Sequence, residues 1–134
     1  MTHRYLLDTN AVSDLVRAPQ GRGAARIAET GEAAVATSVI VAAELRFGAA
    51  KKGSARLTAQ VEAIIGAMTV LPVEPPVGRT YARVRAGLEA TGRPIGANDL
   101  LIAAHALTLD LILVTGNTRE FRHVKGLRIE NWVR

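Results

Sequence analysis

Cysteine is absent from the 134-residue chain. Disulfides, thiolate zinc sites and cysteine nucleophiles are thereby excluded together, and the composition fits a reducing compartment. Aromatic residues make up only 4%, too few for an extended platform of stacked bases. No uncharged apolar run of about 18 residues occurs, so no membrane span is expected. The longest apolar stretches are interrupted by Glu44 and Arg46, or by Asp99, His105 and Asp110. The opening MTHRYLLDTN has a three-residue apolar stretch before Asp8 and no secretory leader pattern. From these absences a cytoplasmic protein is expected.

What is present is enough for a packed core. Hydrophobic residues reach 49%, which argues against disorder. A chain of this length corresponds to about one domain and buries roughly two-thirds of its unfolded surface. With no repeat, low-complexity tract or linker in view, residues 1–134 are expected to form a single domain. The formal net charge is +5, and basic proteins attract polyanions, nucleic acid above all. Charge of this size also occurs for solubility alone.

Short apolar runs alternate with helical patterns. Strands are expected at residues 4–7, 33–37, 69–73, 111–115 and 127–132. Helices are expected at 11–17, 24–30, 39–50, from Ser54 to about 67, 77–90 and 97–109, with a short one in GNTREF. Asp8, Thr9 or Asn10, then Thr37 or Ser38, and Ser54 supply helix N-caps, and Gly31 a C-cap. Strands alternating with helices imply an α/β fold with a parallel sheet covered on both faces. Ligands of such sheets bind outside the carboxyl ends of the strands.

Three carboxylates stand out against that background. Asp8 ends the apolar run YLL, Glu44 interrupts VIVAAELRFGAA, and Asp99 opens NDLLIAAHAL. Acidic residues are almost never buried unless paired or bound to a metal. Asp8 falls at the carboxyl end of the first strand, and Thr115, Gly116 and Asn117 follow the fourth to the same edge. Glu44 reaches that edge if its helix leans over it. Asp110 is equally surrounded by apolar residues in ALTLDLILV, but it precedes its strand and so belongs to the opposite edge. Asp14 reads as a solvated helix charge, or as a support behind the pocket. Each acid has an ordinary explanation: Asp8 or Asp99 as a capping or dipole charge, Glu44 as a partner of Arg46 or Lys51. Their coincidence favours one acidic pocket, and clustered carboxylates require a hard cation such as Mg²⁺ or Mn²⁺. His105 reads as a packed core residue, and His3 and His123 lie too far out for a paired-histidine mechanism. Arg17, Arg22 and Arg26 form one basic group, and Arg46, Lys51, Lys52 and Arg56 a second.

The blocks LLDTN, AAELRFGA, GANDLLIAAHA, LVTGNTREF and GLRIENW, in this order, resemble the PIN-domain ribonucleases. More narrowly they resemble the VapC-type toxins of toxin–antitoxin modules, the FitB-like members included. The likeness runs from Tyr5 to about Trp132. It implies a three-layer α/β/α domain and an Mg²⁺- or Mn²⁺-dependent endoribonuclease. It carries the family's acids onto Asp8, Glu44 and Asp99, with the metal held by Asp8, Asp99 and Glu44, directly or through water. Its fourth position falls on Asn117, where members often have Asp. Asn117 offers a carbonyl oxygen without charge, and Glu120 either supplies the missing carboxylate or is a solvated helix charge. The likeness also implies supporting hydrogen bonds from Asn10 and Thr115, cleavage to 5′-phosphate and 3′-hydroxyl ends, and tRNA or another structured RNA as substrate. A cognate antitoxin and a homodimer are the implied partners; the helices over residues 39–50 and 54–67 offer docking faces, unless their apolar stripes are ordinary core. Two other classes fit acids at strand ends: a small Mg²⁺-dependent phosphatase or DNA nuclease, and a non-enzymatic binding module. An aspartyl-phosphate phosphatase wants a second Asp two residues after Asp8, where Asn10 stands.

Overall fold

The computed structural model describes residues 3–133. Strands β1 (Tyr5–Leu7), β2 (Val35–Ser38), β3 (Thr69–Leu71), β4 (Ile112–Val114) and β5 (Ile129–Glu130) form one sheet in the order β3-β2-β1-β4-β5. Every pairing is parallel, with Leu6 opposite Ala36 on one side and Leu113 on the other. Parallel neighbours require crossover connections, and these place helices on both faces. The helices are α1 (Thr9–Arg17), α2 (Arg22–Thr30), α3 (Val39–Lys52), α4 (Ala55–Gly66), α5 (Pro76–Ala90), α6 (Ala97–Thr108) and the one-turn α7 (Thr118–Phe121). Helix α1 meets α2, α3 and α4, while α5 packs along α6, giving the three-layer α/β/α arrangement expected.

The centre of the sheet is dry. Tyr5, Leu6 and Leu7 are buried on β1, as are Leu113 and Val114 on β4. Leu6, Ile102, Leu113 and Phe121 are among the side chains with no solvent exposure. Burial on both faces explains why β1 reads as a continuous apolar run rather than an alternation.

Several boundaries differ from the sequence expectation. The segment before β2 is a 3₁₀ turn at Glu32–Ala34, so the strand starts at Val35. Strand β3 ends at Leu71, two residues early, because Pro72 has no N–H to donate to a ladder. The last strand spans only Ile129–Glu130. Helix α1 starts at Thr9, directly on Asp8, and α2 at Arg22, on Gly21. Ser38 and Ser54 cap α3 and α4 through their hydroxyls, as expected.

The chain runs outward in one direction through β1, β2 and β3 and in the other through β4 and β5. The reversal lies between β1 and β4. Neighbouring crossovers diverge at such a point and leave a crevice beyond the carboxyl ends of the two strands. Asp8 leaves β1 at this crevice and Thr115–Gly116–Asn117 leave β4 there; the Asp8 N–H donates to the Val114 carbonyl at 3.0 Å.

Candidate active site

Asp8 is fixed by helix chemistry. It is the N-cap of α1, accepting from the Ala11 N–H at 2.8 Å on Oδ1. The Thr115 hydroxyl also hydrogen bonds to its carboxylate, while the same hydroxyl accepts the Asn117 N–H at 2.9 Å. Asp8 is nonetheless 2% exposed. Burial pushes its pKa up to about 6 against these hydrogen bonds, and the charge of Glu44 adds to the rise. The cap and the pocket acid, alternatives in the sequence, are one residue.

Glu44 does reach the crevice. Its Oε1 accepts from the Thr9 hydroxyl and its Oε2 from Asn98 Nδ2 at 2.9 Å. The alternative pairing with Arg46 is not formed: Arg46 makes a two-pronged contact to Glu62, at 2.8 and 3.0 Å. Asp99 lies in the first turn of α6 but caps nothing; the N-cap position is Gly96. Its pKa is also raised to about 6, by partial burial first, then by the charges of Glu120, Asp8 and Glu44.

Asp8, Thr9, Asn10, Ser13, Glu44, Asp99, Gly116 and Asn117 line one open cavity of about 550 Å³. Glu120 stands just behind it. It is the strongest charged neighbour of Asp99, accepts from Asn117 Nδ2 at 2.7 Å and faces the Gly96 N–H at 3.4 Å. Asn117 and Glu120 are therefore a linked pair, with the amide on the cavity wall and the carboxylate against Asp99. Asn10 turns to the other wall, where its Oδ1 accepts the Gly116 N–H at 2.8 Å. A Cβ on Gly116 would stand 2.3 Å from that oxygen and 3.1 Å from Val133, so no larger residue fits there without displacing Asn10.

Thr9 and Asn98 support Glu44, a role the sequence does not announce. Each adjoins an acid, in LLDTN and NDLL, and a small polar neighbour was the available signal. The remaining candidates lie elsewhere. Asp110 occupies the opposite edge with φ 56° and contacts Arg128 at 3.1 Å. Asp14 pairs with Arg17 at 3.5 Å. His105 is buried, its Nδ1 2.9 Å from the Ser38 hydroxyl, and burial lowers its pKa; it does not line the cavity.

The donors suit a hydrated hard cation. Among the described residues no three carboxylate or imidazole side chains converge tightly enough to enclose an ion by themselves. Mg²⁺ retains several waters and takes one or two carboxylates, so acids spaced around an open cavity match it better than a closed cage would. Two carboxyls lifted to about 6 by burial and mutual repulsion mark a place where added positive charge is stabilising.

Comparison with known proteins bears on this geometry. The family model of the PIN domain matches residues 5–127. The chain belongs to the PIN-domain family. Within it, this PIN domain is 37% identical over 131 residues to "Ribonuclease VapC2" of Haemophilus influenzae, covering 97% of this chain and 98% of that one. It is 33% identical over 130 residues to "tRNA(fMet)-specific endonuclease VapC" of Shigella flexneri, covering 96% and 98%. Among solved structures, DNA-bound VapBC from Salmonella typhimurium superposes with a TM-score of 0.90 at 32% identity, covering 98% of this chain and 99% of that chain.

Proposed function

We propose that this PIN domain is a divalent-metal-dependent endoribonuclease, the toxin of a toxin–antitoxin pair, acting on tRNA or another structured RNA in the cytoplasm. The observation that carries the reading is the joint placement of Asp8, Glu44 and Asp99 on one cavity at the β1/β4 reversal. The ribonuclease names of its VapC relatives support the reaction class, and the VapBC complexes among its structural neighbours support an antitoxin partner.

Asp8, Asp99 and Glu44 would hold Mg²⁺ or Mn²⁺, directly or through water. When bound, the ion supplies neutralisation of the scissile phosphate and an acidified water. The chain's own side chains set the geometry. Thr9 and Asn98 fix both oxygens of Glu44. Thr115 and the start of α1 fix Asp8. Asn117 presents an uncharged amide at the fourth corner and anchors Glu120 behind Asp99. Glu120 stands beside Asp99, and its charge helps to raise the Asp99 pKa. Water attack on phosphorus in line with the 3′-oxygen leaves 5′-phosphate and 3′-hydroxyl ends.

Cleavage of RNA by the purified chain with Mg²⁺, with Mn²⁺ and with EDTA tests the reading. Activity with either metal and none in EDTA is expected; cleavage retained in EDTA would overturn it. We also propose a homodimer through α3, whose Phe47 is 66% exposed, a cost in water that a partner surface relieves. Phe47→Glu is expected to convert a dimer to a monomer by light scattering, with α3 otherwise intact.

A further inference from the structure

Five arginines are neutralised where they stand. Arg17, Arg26, Arg46, Arg85 and Arg128 each contact a carboxylate within 4.0 Å. The basic group at residues 46–56 is thus broken by the Arg46–Glu62 pair, and Lys51 and Lys52 complement the α3 dipole at its C-terminus. One basic group stands out by its position. Arg93, Arg119, Arg122 and Lys125, like Arg4, Arg22, Arg56, Arg79 and Arg83, enter no ion pair among the described residues, but the first four lie on or beside α7, next to the acidic cavity.

Two of them are crowded together. Arg93 Nη1 stands 3.1 Å from His123 Nε2, and Arg122 precedes His123 in the chain. The pKa of His123 is lowered, by desolvation first and then by the charges of Arg93 and Arg122. Two exposed guanidinium groups thus stand beside one imidazole with no ion-paired carboxylate, an arrangement that an anion would stabilise.

The fold holds this cluster in place. Gly92, at φ 70°, ends α5: its N–H bonds to the Glu89 carbonyl at 3.1 Å and the Arg93 N–H to the Leu88 carbonyl at 2.8 Å. These paired bonds are a Schellman motif, so the backbone position of Arg93 is set by a helix terminus. Arg122 and His123 directly follow α7, which the fully buried Phe121 anchors. The loop after Arg93 closes onto α7, the Gly96 N–H facing Glu120. Glu120 in turn adjoins Asp99 on the acidic cavity. The basic cluster and the carboxylates therefore both border one short helix.

We propose that Arg93 and Arg122 form a phosphate-binding subsite for the RNA backbone, beside α7 and next to the acidic cavity. The subsite rests on the RNA-cleaving reading of the cavity and adds to it a fixed direction for the substrate, from the carboxylates toward the end of α5. Phosphate contacts of this kind set register rather than base preference. Arg suits the role through its fork of donors.

The test uses full chains carrying Arg93→Gln, Arg122→Gln and both, with Arg128→Gln as a control of equal charge change at the opposite sheet edge. Binding of a fluorescein-labelled RNA stem–loop is followed by anisotropy in EDTA across a salt series, and steady-state cleavage is followed with Mn²⁺. The double variant is expected to raise KM by about 10-fold with kcat within about twofold of the parent. It should also flatten the log–log salt dependence of binding by about 0.7 to 0.9 per arginine removed. Arg93→Lys with Arg122→Lys should restore the salt slope, and Arg128→Gln should change neither quantity. Unaltered KM and salt slope in the double variant would overturn the subsite. So would loss of binding to polyglutamate with RNA binding intact, which would assign the patch to an acidic protein segment. Because binding is read in EDTA, this outcome is independent of cleavage; activity that survives EDTA would sink the metal-dependent reading and leave the subsite to the binding data.

Discussion

Asp8 serves two demands at once, and they conflict at neutral pH. As N-cap it starts α1; as a buried carboxyl with a pKa near 6 it resists ionisation. The unfolded chain has Asp8 near its ordinary 3.8. Between these values the folded state binds the extra proton, so ionisation above about pH 6 opposes folding. Asp8→Asn keeps a capping oxygen and removes the charge. In EDTA at pH 8 it is expected to be more stable than the parent, by up to about 3 kcal/mol for a shift of this size. The gap should close as pH falls from about 7 to 4, read as the difference between two denaturant series, which cancels the opposite pH dependence of buried His105. Activity should move the other way. Asp99→Asn and Glu44→Gln are each expected to lower kcat by at least about 100-fold, the scale of several kcal/mol of lost charge stabilisation, with unchanged circular dichroism. At this scale the sequence was informative. A carboxylate inside an apolar run is legible because burying it without a partner is so unfavourable. The partners of Glu44 were not legible: Asn98 lies 54 positions away, and nothing local distinguishes it from Arg46, two residues on.

Elements follow the same division. Caps and helix ends were readable because they depend on neighbours in the chain: Ser38, Ser54 and Gly31 all stand where expected. Strand lengths were not, since a strand ends where its partner ends. Strand β5 keeps two residues because only Leu113 and Val114 of β4 lie opposite them. The loop from Gly92 to Gly96 shows what a terminus can do for a site. Gly92 adopts φ 70°, a conformation that costs a side-chain-bearing residue about 1 kcal/mol or more. Gly92→Ala is expected to lower stability by roughly that amount by chemical denaturation. It should also loosen Arg93, visible as faster amide exchange at residues 92–96.

For the whole molecule, acid is concentrated at the β1/β4 reversal while the net charge is +5. A divalent ion should therefore act as a folding ligand. MgCl₂ at about 100 times its Kd would add about 2.7 kcal/mol to stability, read as a rise in Tm by scanning fluorimetry; Asp8→Asn should blunt the rise. The α/β class and the sheet edge were legible from alternation of elements, but the strand order, and with it the crevice, depends on pairing that no single segment encodes. The close approach of Val133 to Gly116 has a practical consequence. The chain beyond β5 crosses the edge where RNA would enter, whereas β1 begins at the opposite edge. An affinity handle fused after Val133 would sit at the mouth of the cavity and risk passing for inhibition, so the handle belongs before Tyr5.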